Sequence, residues 1–294
     1  MCEQKTITMK PKLLISFSGG ETSAYMTNLL VTKYADVYEM VIVFANTGQE
    51  NEETLQFVKK CEVHFKWNVI WVESVVYHDK RKANGHKIVD FYSACRNIDL
   101  FEEVIKKHGI PNQSFPHCTR ELKLAPINSY MKSIGWKKYH TAIGIRVDEI
   151  DRVNPQANKL RLMYPLVSFQ HGVRKNDMNK FWSEMPFRLE LKGYQGNCIT
   201  CWKKSDNKLL QIAKENPKCF IPFSSMEERY KNYTPERRLL IMKSKGKEPV
   251  YPIVFFRKNR SALEIVGQSA MYNGKVIDDA IYTESCDIFS NCGD

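Results

Sequence analysis

Residues 16–24 read SFSGGETSA, directly after the apolar run KLLI at 12–15. A strand that hands over to a helix through Ser-Gly-Gly gathers several backbone N–H groups around one point. The helix N-terminus adds its positive dipole end, and together they make an anion site. Gly19 and Gly20 admit unusual φ values and let a phosphate approach the backbone closely. Ser18, Thr22 and Ser23 are placed to cap the helix or donate to phosphate oxygens. The stretch lacks the Gly-Lys-Ser/Thr ending of a Walker A loop and is not GxGxxG. Taken alone it describes a strand-to-helix turn as readily as a phosphate cradle, so its surroundings have to decide.

Outward from the loop, strand-like and helix-like stretches alternate. KLLISF (12–17), YEMVIVFAN (38–46), WNVIWVES (67–74) and KKYHTAIGIR (137–146) read as strands. The second is a near-continuous apolar run, as expected of a strand covered on both faces. TSAYMTNLLVTKYA (22–35), NEETLQFVKKCEVHF (51–65), DLFEEVIKKHG (99–109) and TRELKLAPINSYMKSIG (119–135) read as helices, the last interrupted at Pro126. The basic stretch YHDKRKANGHK (77–87) reads as a loop. This βαβαβ order predicts an α/β protein with a doubly wound, mostly parallel, Rossmann-like sheet. Past Asp151 the pattern weakens into a mixed, mainly helical part that carries a cysteine pair. The expected division is a nucleotide-binding domain over 1–160 and a C-terminal region over 161–294, acting as a lid or binding an acceptor or partner.

The chain has 294 residues, 43% of them hydrophobic, enough for a sizeable core. No apolar run approaches the roughly 20 residues of a membrane helix, and MCEQKTITMKPK lacks the apolar centre of a signal peptide. The expectation is a cytoplasmic protein without membrane partners. Nine cysteines in that setting point away from a disulfide framework and toward metal, cluster, redox or plain burial. A formal net charge of +11 suits a polyanionic partner, a nucleic acid or a phosphorylated small molecule.

Three further elements follow the loop in order: Asn46-Thr47-Gly48 after the second strand; Cys118, Lys123 and Pro126 opening a helix; and Gly144, Arg146, Asp148 and Glu149, with Arg152, after the fourth strand. In a doubly wound sheet the carboxyl ends of the strands share one crevice. With Ser18-Gly19-Gly20-Glu21-Thr22-Ser23, this combination over 16–152 resembles the PP-loop superfamily and, within it, the phosphoadenosine phosphosulfate (PAPS) reductase family. The threonine at 22, where many relatives carry aspartate, leans toward that family.

The resemblance implies an adenine nucleotide, ATP or PAPS/APS, in the crevice. Ser16, Ser18, Gly19, Gly20, Glu21, Thr22 and Ser23 would hold its phosphate or sulfate, with Gly48 and Gly144 lining the site. The backbone from Phe44 through Asn46 to Thr47 would meet the adenine. Lys123 and Arg146 would supply charge where negative charge develops, with Cys118 as a third catalytic candidate. Asp148 and Glu149 would orient Arg146 or Arg152 by charge-assisted hydrogen bonds, or hold Mg²⁺. His117 and His140 are further acid–base candidates, although a histidine inside a strand is more often packed.

GNCITCWKKS places Cys198 and Cys201 at CxxC spacing, suited to zinc, an iron–sulfur cluster or a redox pair. Three readings stand side by side: zinc on Cys198, Cys201, Cys286 and Cys292; a [4Fe-4S] cluster that includes Cys118; and unmetallated thiols. His117 stands where the four-cysteine reductases carry a second adjacent cysteine. The chain ends SNCGD, so Cys292-Gly293 keeps only the centre of the reductase family's Glu-Cys-Gly-x-His motif. Three chemistries are therefore carried forward. The first is cleavage of ATP between the α- and β-phosphates to adenylate an acceptor for sulfur transfer. The second is thiol-dependent reduction of PAPS or APS to sulfite with a thioredoxin-like partner. The third is nucleotide binding without catalysis. The basic stretches at 77–87 and 229–247, with Tyr230 and Tyr233 among the cations, suit a nucleic-acid acceptor as readily as a solvated surface.

Overall fold

The computed structural model describes residues 9–276 except 80, 170, 171, 197 and 275. Cys2, Cys286 and Cys292 lie outside the described residues.

Six strands form one sheet in the order β4-β3-β2-β1-β5-β6. They are β1 (Lys12–Ser16), β2 (Glu39–Ala45), β3 (Val69–Val75), β4 (Gly85–Val89), β5 (His140–Ala142) and β6 (Leu162–Met163). All pairings are parallel except β3 with β4, which is antiparallel. The α/β, mostly parallel fold expected from the strand order is the one observed. The difference lies in the basic stretch read as a loop over 77–87, whose last three residues begin β4. Its Gly85 pairs Val75 and its Val89 pairs Trp71. Only two of its five side chains are buried, so it carries little apolar periodicity for a sequence reading to detect.

β1 is covered on both faces, which is why its sequence is apolar without alternation. Leu13 and Ile15 join one core cluster with α1 (Glu21–Lys33) and α2 (Glu52–Phe65). Leu14 points the other way, toward Ile127, Tyr130 and Met131 of α4 (Ala125–Ser133). The chain runs from β1 outward through β2 and β3, then crosses back to the other side of β1 for β5. That reversal opens a crevice beyond the carboxyl end of β1, where the Ser-Gly-Gly loop sits.

The remaining helices are α3 (Asp99–His108), α5 (Ala157–Leu160), α6 (Pro165–Ser168), α7 (Lys175–Ser183), α8 (Asp206–Glu215), α9 (Ile221–Tyr230), α10 (Glu236–Ser244) and α11 (Ala262–Ser269). The cores cut across residue 160. Leu166, Met178 and Trp182 pack into the cluster under α1, while Phe101, Val104, Ile105 and Leu122 pack with Trp202, Leu209, Phe223, Phe255 and Ile265 of the C-terminal part. Before α4 the helix opens into a π-type turn over Arg120–Leu124, closed by Ala125 N donating to Arg120 O. Pro126, which cannot donate, falls in the first turn of α4.

Candidate active site

The loop after β1 is held by its own side chains. Ser18 N donates to Ser23 Oγ at 3.2 Å, Ser18 Oγ donates to the same atom at 2.9 Å, and Ser23 Oγ donates to Gly20 O at 2.9 Å. Gly19 has φ +81°, and a Cβ there would stand 2.7 Å from Thr54 Cγ2. Gly20 is the residue before α1, and no side chain caps that helix. Its first-turn N–H groups therefore have no side-chain acceptor in the position where an anion binds.

Two residues of the loop motif do other work. Glu21 is buried and turned into the protein, accepting Arg188 Nε at 3.0 Å, Arg188 Nη2 at 2.9 Å and Leu189 N at 3.2 Å. It docks the start of α1 onto the segment after α7. Thr22 Oγ1 donates to Met178 Sδ at 3.1 Å and accepts Arg146 Nη1 at 2.9 Å. Its hydroxyl proton is thus directed at sulfur.

Arg146 is 1% exposed and braces the loop after β5 against α1. Its Nη2 donates to Asp148 Oδ2 at 3.0 Å, and its Nη1 lies 3.3 Å from Glu149 Oε2. Burial works to raise the Asp148 pKa, and the adjacent guanidinium overrides it, holding the carboxyl below its usual range. Glu149 also takes Arg152 Nη1. With both carboxylates turned to guanidinium groups, this pair does not fit a Mg²⁺ site. Gly144 makes the approach possible: a Cβ there would lie 3.0 Å from Ser23 Cα.

The Asn-Thr-Gly turn after β2 forms the second wall. Asn46 Nδ2 donates to Glu73 Oε1 at 2.7 Å and to Cys95 O at 2.8 Å. Cys95 N also donates to Glu73 Oε1, at 2.6 Å. The turn is thereby tied to β3 and to the segment before α3. Gly48 takes φ +73°. The Phe44 ring is buried against Phe17 and Trp71, so only its backbone is available to a ligand.

Glu50, which the motif reading passed over, is a hub. Its Oε1 accepts Thr47 Oγ1 at 3.0 Å, lies 3.5 Å from Lys123 Nζ and accepts Cys198 Sγ at 3.8 Å. Lys123 projects from the π-type turn, so one carboxylate draws together the turn after β2, the lysine and the CxxC loop. Ile199 N donates to Gln49 O at 2.9 Å, and Asn51 Nδ2 donates to Gln195 O at 2.8 Å. These bonds fasten the C-terminal part onto the turn after β2.

Cys118, Cys198 and Cys201 line one narrow cavity of about 40 Å³ with Thr47, Lys123 and Trp202. Burial, then the Glu50 carboxylate, pushes the Cys198 thiol far up, against the opposing pull of Lys123. Burial and Cys201 push Cys118 up as well. Both thiols are protonated at neutral pH. Burial lowers Lys204 to about 8, while the two CxxC sulfurs work the other way. Its ammonium donates to the carbonyls of Tyr194 and Gly196. Among the described residues, no group of three or more His, Cys, Asp or Glu is arranged to hold a metal ion. The three cysteines therefore do not fit a cluster as they stand. The zinc set needs Cys286 and Cys292, outside the described residues.

His140 is exposed at the start of β5. His117 is buried, and burial lowers its pKa to about 3. Of the basic stretches, 229–247 uses both tyrosines internally: Tyr230 OH donates to Glu102 Oε1 and Tyr233 OH to Lys106 O, each at 2.8 Å. Sequence reasoning missed Glu50 and Lys204. Glu50 lies two residues after Gly48 and Lys204 three after Cys201, the only signal that pointed to them.

An uncapped glycine loop at the switch point of a mostly parallel sheet, with a braced arginine at its side, is the arrangement of an α/β protein of the PP-loop superfamily. The description "Phosphoadenosine phosphosulfate reductase domain" matches residues 12–180, and the chain belongs to that family. It is 32% identical over 206 residues to the uncharacterized nin region protein ORF290 of Escherichia phage lambda, covering 69% of each chain. It is 28% identical to the uncharacterized protein MJ0973 of Methanocaldococcus jannaschii, over 50% of this chain and 28% of that protein. A second protein of that organism, MJ0066, is 24% identical over 76% of this chain and 42% of its own length. The chain thus spans less than half of either archaeal relative. Among the described residues no helix is long and apolar enough to cross a membrane.

Proposed function

We propose that the crevice binds ATP and that the protein cleaves it between the α- and β-phosphates, adenylating an acceptor that then receives sulfur. The observation that supports this reading is the uncapped, side-chain-braced loop at the carboxyl end of β1, next to the β2–α2 connection whose Glu50 holds Lys123. An acceptor oxygen attacks the α-phosphorus, and the bond to the bridging oxygen breaks. Pyrophosphate leaves with the negative charge. Loop N–H groups and Lys123 stabilise that charge as it develops, which is the main catalytic requirement of phosphoryl and nucleotidyl transfer. Arg146 positions α1 through Thr22. A sulfur donor then displaces AMP from the activated acceptor. The protonated state of Cys118 and Cys198 weighs against their direct attack on a sulfonucleotide, which needs a thiolate.

The test is release of pyrophosphate and AMP from ATP with magnesium. Lys123→Ala lowers it about 100-fold or more, in line with loss of one charge-stabilising donor. Thiol-dependent sulfite release from PAPS, lost in Cys292→Ser, would replace this reading with reduction. Tight nucleotide binding with neither activity would leave a binding protein.

A further inference from the structure

The segment 117–123 has two faces. Cys118, Thr119, Leu122 and Lys123 line the cysteine cavity. His117 and Arg120 line a different space, on the outer side, between the 107–120 stretch and α10. That space consists of two cavities of about 290 and 350 Å³, which share Ser114, Phe115, Arg238, Ile241 and Lys245 and so form one groove. The groove presents six cations, Lys107, Arg120, Arg237, Arg238, Lys245 and Lys247, against one lining carboxylate, Glu248. Among the described residues only Arg120 of the six is ion-paired, with Glu121.

Arg238 carries the most weight. It is 7% exposed, its Nη1 donates to Ile110 O at 3.0 Å, and its guanidinium lies 3.6 Å from the centre of the Phe115 ring. No carboxylate faces it among the described residues, and its Nε has no partner. A buried guanidinium without an anion is costly, and its shape suits a phosphate. His117, also 7% exposed, leaves its Nε2 without a partner on the same groove. Its ring is neutral at physiological pH, which fits a hydrogen bond to a sugar or base edge.

We propose that this groove binds the sugar-phosphate backbone of a single-stranded nucleic acid. Arg237 and Lys245 stand eight residues apart along α10 and its C-cap, roughly 12 Å at the helical rise. That length reaches from one phosphate to the next along an extended strand, more than one small anion occupies. The groove lies between a helix and a loop rather than across an open convex face, which suits one strand over a duplex. Arg120 of the groove precedes Lys123 of the cysteine cavity by three residues in the same π-type turn. The site thereby extends the adenylation reading by supplying an acceptor, yet its binding needs no ATP.

The experiment is fluorescence anisotropy of the full chain with a labelled thymidine oligonucleotide of about twenty residues, across a salt series. Arg237, Lys245 and Lys247 are exposed, so Arg237→Glu/Lys245→Glu/Lys247→Glu should fold. It is expected to bind about 30-fold or more weakly near physiological salt, with the salt slope smaller by about 2. The control Lys33→Glu/Lys137→Glu/Lys138→Glu makes the same charge change at exposed lysines elsewhere and should bind within about 3-fold of the parent. Lys123→Ala should keep oligonucleotide affinity while losing ATP cleavage, which separates failure of this site from failure of the nucleotide reading. Equal loss in both triple variants, no binding by the parent, or tighter binding of the matching duplex would each overturn the proposal.

Discussion

The glycine loop and the cysteine wall face the same crevice but are built on opposite principles. In the loop, the charged groups are matched: Arg146 with Asp148 and Glu149, Glu21 with Arg188. Short local bonds between Ser18, Gly20 and Ser23 hold the backbone before any ligand arrives. In the wall, polar chemistry is suppressed. Cys118 and Cys198 are half-buried and protonated, and Lys204 is weakened as a cation. The loop is arranged to receive charge, and the wall to keep reactive sulfur quiet.

The comparison is broken most severely at Arg146. Replacing it with alanine leaves Asp148 and Glu149 without their cation and Thr22 without its donor. We expect a loss of about 3–5 kcal/mol of stability, measured by urea denaturation, together with loss of ATP binding. A fall below about 1 kcal/mol would show that the brace is dispensable.

Next in size is a pH effect in the C-terminal core. Glu227 is buried, accepting Phe255 N at 3.0 Å and Ala262 N at 2.8 Å, and burial raises its pKa from 4.5 to about 7. A folded pKa above the unfolded one means that the native state binds the proton more tightly. Its stabilising contribution is full below about pH 4.5 and lost as pH rises through 7. His117 acts with the opposite sign, its lowered pKa removing stability as pH falls from 6.5 toward 3. The difference between the parent and Glu227→Gln isolates the first effect. The urea-derived stability of the parent should fall relative to Glu227→Gln as pH rises from about 4.5 to 7, by up to about 3 kcal/mol. Parallel profiles would place the proton elsewhere.

Gly144→Ala tests the tightness of the loop. A Cβ 3.0 Å from Ser23 Cα must push β5's exit away from α1, at about 1–3 kcal/mol and with weakened ATP affinity by calorimetry. Unchanged affinity would separate the brace from the nucleotide site. The smallest effect concerns the wall. Iodoacetamide at about pH 7.5 should alkylate Cys118 and Cys198 at least about 10-fold more slowly than a free cysteine, read by mass spectrometry. Fast labelling would show that they are thiolates and overturn the protonated state assigned to them.

Much of this arrangement was legible in the sequence wherever a function is carried by contiguous residues. The Ser-Gly-Gly turn, Asn46-Thr47-Gly48 and Gly144-x-Arg146 each announce themselves because backbone conformation and short-range bonding are local. Glu21 and Thr22 were legible as motif members but not in their roles. Their partners, Arg188 and Met178, lie more than 150 residues away in the chain. The strand β4 escaped notice because its exposed side chains carry no apolar period. Tyr230 and Tyr233 look like stacking platforms among cations, yet their hydroxyls are bonded to α3 and the surface they leave is not the basic groove.

By itself the sequence determined the α/β class, the alternation of strands and helices through residue 146 and the family, because apolar periodicity, glycine placement and motif order need no knowledge of distant contacts. Only the tertiary structure decided that Glu50 joins Lys123 to Cys198, that three distant cysteines share a cavity, and that His117 and Cys118 open onto different spaces. Those facts depend on which elements meet across the sheet and on how far water is excluded between them. Burial and charge pairing are properties of the packed chain, and no stretch of residues carries them alone.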